Sequence, residues 1–139
     1  MGARRGDGMG RLAWVCLGSA LGGGARYLVS LAALGAIGTS FPWGTLFVNV
    51  VGSYLIGLVM HVSLETTLIS PTFRLFLTTG VMGGFTTYSA FNYETLKLVS
   101  DGDWLRAALN VGVTLFVCLA AGVLGVGSAR SLVMAFGRT

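Results

Sequence analysis

Gly80-Val-Met-Gly-Gly-Phe-Thr-Thr-Tyr-Ser-Ala-Phe-Asn-Tyr-Glu94 sets the pair Gly83-Gly84 and the pair Thr86-Thr87 inside an apolar run otherwise long enough to cross a bilayer. The hydrocarbon core offers no water to broken backbone hydrogen bonds. Non-helical backbone at that depth therefore survives only when buried in protein or lining a cavity. The stretch predicts a broken membrane span, and the break is the candidate functional region.

The remainder of the chain fits that reading. Of 139 residues, 54% are hydrophobic and 10% charged, with a mean hydropathy of +0.80, which excludes an ordinary soluble domain. Four apolar stretches reach the ~20 residues needed to cross the hydrocarbon, at about 12–37, 43–64, 73–99 and 104–127. Between them lie short segments rich in turn formers: Gly38-Thr-Ser-Phe-Pro42, Thr66-Thr-Leu-Ile-Ser-Pro71 and Ser100-Asp-Gly-Asp103. Pro71 and Asp103 suit helix starts, and Gly102 suits a stop. The expected fold is an all-α membrane protein of four transmembrane helices with the third broken. Its single four-span domain covers 11–128, between a disordered N-terminal tail (1–10) and a C-terminal tail (129–139). The run 12–21 resembles a signal-peptide core but resumes after Arg26 and lengthens into a full span. The start Met1-Gly2 has Gly6 where a myristoylation signal wants Ser or Thr.

Nine basic residues against five acidic ones give a net charge of +4, yet they are scattered near span ends and form no stripe for nucleic acid. Arg4, Arg5, Arg11, Arg74, Arg130 and Arg138 fall on one side of the expected topology and Lys97 and Arg106 on the other. That bias favours both termini inside, but Arg4 and Arg5 belong to the tail, and the remaining margin is small enough for mixed insertion. Cys16 and Cys118 lie within spans at no metal-binding spacing, and His61, near a span end, is assigned no role.

Polar residues recur at helical spacing inside the spans. Thr45, Asn49 and Ser53 stand one above another on the second, and Asn110, Thr114 and Cys118 on the fourth. Each row reads either as glue between helices or as the lining of a path. Asn49 is the hardest to treat as glue, because an amide near mid-span has donors and acceptors that all need partners. In the third span Phe85, Tyr88, Phe91 and Glu94 recur every three residues. Aromatic rings at that spacing are ordinary packing, but their place directly after the break makes them candidates for the lining. Glu94 is the one acidic residue inside a span, so nothing obvious draws a cation through. Amide and hydroxyl donors, ring edges and the amides of a half-helix start attract an anion weakly. Weak, repeated attraction suits conduction. Arg26, in Gly22-Gly-Gly-Ala-Arg26-Tyr27, is the intramembrane cation, and a centred arginine costs about 2.5–3.5 kcal/mol on insertion scales. It either raises anion concentration at a vestibule, or snorkels or holds a neighbouring carbonyl. Gly18 and Gly22, and Gly80 and Gly84, have the small-residue spacing that brings helices close, and so imply assembly.

Gly22-Gly-Gly-Ala-Arg-Tyr27, Gly44-Thr-Leu-Phe-Val-Asn-Val-Val-Gly52 and Gly80-Val-Met-Gly-Gly-Phe-Thr-Thr-Tyr-Ser-Ala-Phe91 with Glu94, in that order, resemble the Fluc (CrcB) fluoride channels. The resemblance implies a passive, fluoride-selective channel of the plasma membrane that exports fluoride from the cytoplasm and is not an enzyme. It also implies an antiparallel, dual-topology homodimer with two pores and a central, structural sodium ion that is not transported. Asn49 matches the family's pore asparagine, and Tyr88 and Phe91 match its paired phenylalanines. Thr45, Ser89, Thr114 and Cys118 match its polar pore positions, and Arg26 its vestibule arginine. Gly83 and Thr86 match the positions whose carbonyls hold sodium. Tyr88 and Cys118 depart from the usual phenylalanine and serine, which bears on rate and selectivity.

A rival reading is a small four-span proton-coupled multidrug exporter. That machine needs a deep carboxylate, typically in its first span, where this chain has Arg26 and no acid. A non-transporting membrane scaffold would explain the small-residue packing but leaves the broken span without a purpose.

Overall fold

Turn residues divide the chain where the sequence predicts. Gly38 and Gly102 adopt φ of +84° and +79°, the left-handed region open to glycine, and each follows a helix. The computed structural model describes the backbone of residues 3–136 and side chains from 8 to 135. Its helices are α1 (Ala3–Ile37), α2 (Trp43–Glu65), α3 (Pro71–Leu75), a π-helical segment (Phe76–Met82), α4 (Gly83–Phe85), α5 (Tyr88–Ser100) and α6 (Trp104–Phe136). Pro71 opens α3 behind Ser70, whose hydroxyl accepts from the Phe73 amide at 3.3 Å. Asp103 does the same for α6, accepting from the Arg106 amide at 3.1 Å and pairing with its guanidinium at 3.2 Å.

Three helical stretches are long and apolar enough to cross a membrane, Gly8–Ile37, Trp43–Glu65 and Trp104–Ala135. The third expected span (73–99) coincides with the segmented arm from α3 to α5, no single piece of which has that length. Helix α1 starts at Ala3 and α6 runs to Phe136, so helical backbone occupies much of both expected tails. Their outermost residues, with the Met1-Gly2 start and Arg138, lie outside the described residues, as do the side chains of Arg4 and Arg5.

The interruption of the arm is narrower than the sequence suggests. Gly83 is helical (φ −62°, ψ −36°), and α4 includes both Gly83 and Gly84. Only Thr86 (φ −81°, ψ 157°) and Thr87 (φ −151°, ψ 117°) are extended. Most of the arm's glycines serve close approach. A Cβ on Gly80 would lie 3.0 Å from the Gly18 Cα, and one on Gly84 would lie 2.9 Å from the Ser19 Cα and 3.0 Å from the Gly23 amide nitrogen. The two small-residue motifs that imply assembly between chains thus pack against each other within one chain.

Helices α2 and α6 form the other tight pair. A Cβ on Gly57 would meet the Gly122 carbonyl at 2.5 Å, and the Tyr54 hydroxyl donates to Ser128 Oγ at 3.1 Å. The usual distribution of polarity is inverted: Thr45, Asn49, Ser63 and Asn110 are buried, whereas many large apolar side chains along α1, α2 and α6 face outward. Such an exterior suits lipid, and buried polar groups require internal partners. The chain is a multi-pass membrane protein.

Candidate functional site

The break is held from two helices. Asn49, on α2 and only 9% exposed, grips one peptide residue with both ends of its amide. Its Oδ1 accepts from the Thr87 amide at 2.8 Å, and its Nδ2 donates to the Thr87 carbonyl at 3.1 Å. From α1, the Arg26 Nε donates to the Gly84 carbonyl at 3.0 Å. The chain then restarts its helix locally: Thr87 Oγ1 accepts from the Ala90 amide at 3.1 Å, capping α5. On the other side of the break, the Thr86 amide and hydroxyl both donate to the Met82 carbonyl at 2.9 Å.

These bonds redirect the backbone. In a continuous helix the Thr87 amide would bond the Gly83 carbonyl and the Ala90 amide the Thr86 carbonyl. Both amides are taken by side-chain oxygens instead. Gly83 and Thr86 therefore present carbonyls deprived of their regular partners, beside an open groove that both residues line. No group of three or more His, Cys, Asp or Glu able to hold a metal occurs among the described residues. A cation at the break would be met by backbone oxygen.

The groove, about 620 Å³, lies between the break, α2 and α6, and brings most of the expected site together. Asn49, Thr114, Cys118, Tyr88 and Phe91 line it with Gly83 and Thr86, and Ser53 continues the α2 row. Tyr88 and Phe91 have ring centroids 5.7 Å apart, tilted by 47°. Tyr88 is 78% exposed, so one chain leaves this face of the site uncovered. The side chains lining it are uncharged and include amide, hydroxyl and thiol groups. Such a surface can meet an anion with weak donors and ring edges without fixing it through a full charge.

Three expected residues stand elsewhere. Arg26 is engaged with Gly84 and does not line the groove. Ser89 is exposed, with its hydroxyl 3.2 Å from that of Thr87. Thr45 donates to Glu94 Oε1 at 2.8 Å and borders a separate opening of about 440 Å³. Glu94 Oε2 is buried there without a hydrogen-bond partner. The aromatic row divides too, because Phe85 is buried on the other side of the break.

Several positioning residues fall outside the expected set. Asn110, 1% exposed, donates to Thr95 Oγ1 at 2.8 Å, and Thr95 in turn donates to the Phe91 carbonyl at 2.7 Å. This chain ties α6 to α5 and so places Phe91. Asn110 heads the polar row of the fourth span, which was the available signal, whereas Thr95 has none because a hydroxyl bonding its own helix is common. Thr87 was legible as part of the break, but its amide contact with Asn49 joins residues 38 positions apart.

A family model described as CrcB-like protein, Camphor Resistance (CrcB), matches residues 13–126, which include the whole of the break and the groove. The chain belongs to this family. A relative from Sorangium cellulosum (strain So ce56), named fluoride-specific ion channel FluC, is 50% identical over 125 residues, covering 90% of this chain and 98% of its own length. Another of the same name, from Anaeromyxobacter dehalogenans (strain 2CP-1 / ATCC BAA-258), is 58% identical over 113 residues, with 81% and 90% covered. A third, from Geobacter sulfurreducens (strain ATCC 51573 / DSM 12127 / PCA), is 50% identical over 113 residues, with 81% and 91% covered. The family is one of ion channels, not of enzymes.

Proposed function

We propose that this chain forms a fluoride-selective channel that lets fluoride leave the cytoplasm passively across the plasma membrane. The relatives' names support the ion. The observation that carries the path is the groove: a clamped, non-helical break faces uncharged polar groups on Asn49, Thr114 and Cys118 and the rings of Tyr88 and Phe91. Fluoride exchanges water stepwise for these groups, and no charged side chain on the lining holds it back. Asn49 gives one Nδ2 hydrogen to Thr87, and its second remains for the ion or water.

The working unit in this reading is an antiparallel homodimer with dual topology. The exposed Tyr88 and the open groove support it, since the groove's polar groups and broken backbone would be costly facing lipid and a second copy would cover them. The third span is then the whole segmented arm. A structural sodium ion fits the carbonyls of Gly83 and Thr86, which the break frees and whose hard oxygens suit an alkali cation. When bound, it supplies fixed positive charge at the break.

Purified protein in liposomes tests the function. Fluoride should leave when valinomycin carries potassium as counter-ion, chloride should be retained, and an imposed pH gradient should not drive fluoride movement. Fluoride release that stops without a proton gradient would replace the channel with a coupled carrier.

A further inference from the structure

Arg26 is the cation that the groove does not use. Its Nε donates to the Gly84 carbonyl at 3.0 Å, and the single ion pair among the described residues is that of Arg106 with Asp103. Gly84 lies four residues before Tyr88, across the break, so its carbonyl is one that a continuous helix would have bonded to the Tyr88 amide. The turn of α1 that precedes Arg26 is packed against the same short helix. A Cβ on Gly22 would lie 2.8 Å from the Phe85 amide nitrogen, and one on Gly84 would lie 3.0 Å from that of Gly23. Backbone contact and side-chain hydrogen bond thus converge on the last turn before Thr86 and Thr87.

We propose that Arg26 is a positioning residue: it holds the end of α4 through the Gly84 carbonyl, and the N–H it supplies there, not its charge, is what permeation requires. With Asn49 gripping Thr87 from α2, the two side chains fix the break at both ends. Tyr88 and Phe91 follow directly and take their places from it. This inference rests on the channel reading for its flux readout alone.

Three substitutions separate donor from charge. Glutamine places its Nε2 the same number of bonds from Cα as the arginine Nε, giving a neutral N–H at that point. Methionine places a methyl there, with neither donor nor charge. Lysine keeps the charge but carries it one bond farther out. Fluoride flux in liposomes should stay within threefold of the unsubstituted protein for Arg26→Gln and fall at least tenfold for Arg26→Met. Hydrogen exchange of backbone amides in residues 83–90, followed by mass spectrometry, gives a readout that needs no fluoride. It should be near the unsubstituted rate in Arg26→Gln and at least tenfold faster in Arg26→Met. Failure of Arg26→Met to fold while Arg26→Gln folds and conducts supports the proposal equally, because the donor alone distinguishes them. Arg26→Met behaving as the unsubstituted protein would overturn it, and so would loss of flux in Arg26→Gln alongside full flux in Arg26→Lys. If the unsubstituted protein itself conducts no fluoride, the channel reading fails and the exchange rates alone judge Arg26.

Discussion

The segmented arm has two faces built on opposite terms. Toward α1 it is closed to the limit of backbone contact: Gly18, Gly22, Gly80 and Gly84 leave no room for a methyl group. Toward α2 and α6 it is open, with a groove of about 620 Å³ and a tyrosine 78% exposed. The closed face has its partners within the chain, while the open face carries the uncharged donors. One element can therefore be anchored rigidly on one side and offer broken backbone on the other, which a uniformly packed helix could not do.

Substitutions that add bulk should affect these faces differently. The largest effect is expected for Gly22→Val, whose Cβ would press on the Val81 carbonyl and lie 2.8 Å from the Phe85 amide nitrogen. Overpacking of this kind costs about 1–3 kcal/mol or more when backbone must move. Little monodisperse protein should be recovered in size-exclusion chromatography. Gly112→Ala, where nothing lies within 4 Å, should elute as the unsubstituted protein does. If both variants elute alike, the closed face is not what anchors the arm.

Bulk on the open face should impair transport and spare the fold. Thr114→Leu removes a groove hydroxyl and fills the space with a side chain that the adjoining cavity can accept. Fluoride flux should fall about tenfold, equivalent to about 1.4 kcal/mol, with the unfolding temperature lowered by no more than a few degrees. An unfolding temperature that drops as steeply as the flux would erase the distinction between the faces. Smallest of all should be the effect of Tyr88→Phe. The ring is exposed and its tilted contact with Phe91 needs no hydroxyl, so flux should stay within threefold.

Much of this arrangement was legible because helical spacing is a strong signal in a chain with few polar residues. The row of Asn49 and Ser53 and the row of Thr114 and Cys118 do line one groove. Thr45 and Asn110, each at the head of its row, turn instead to Glu94 and Thr95, since spacing fixes a helix face but not the neighbour it meets. Gly83 and Gly84 were expected in the break because glycine disrupts helices. Here Gly84 lacks a side chain for packing reasons, and the extended backbone falls on the two β-branched threonines, residues that tolerate it well. Arg26 left two roles open in sequence, and its 3.0 Å hydrogen bond to the Gly84 carbonyl is the observation behind the positioning role.

The central claim is that the open face of the break carries the ion. Fluoride release from liposomes bearing Asn49→Asp, compared with the unsubstituted protein, tests it most directly. The substitution keeps the size of the side chain, removes the donor to the Thr87 carbonyl and sets a carboxylate in the groove. The account predicts that release falls at least tenfold in folded, monodisperse protein. Release at the unsubstituted rate would contradict it, placing the path of fluoride somewhere other than this face.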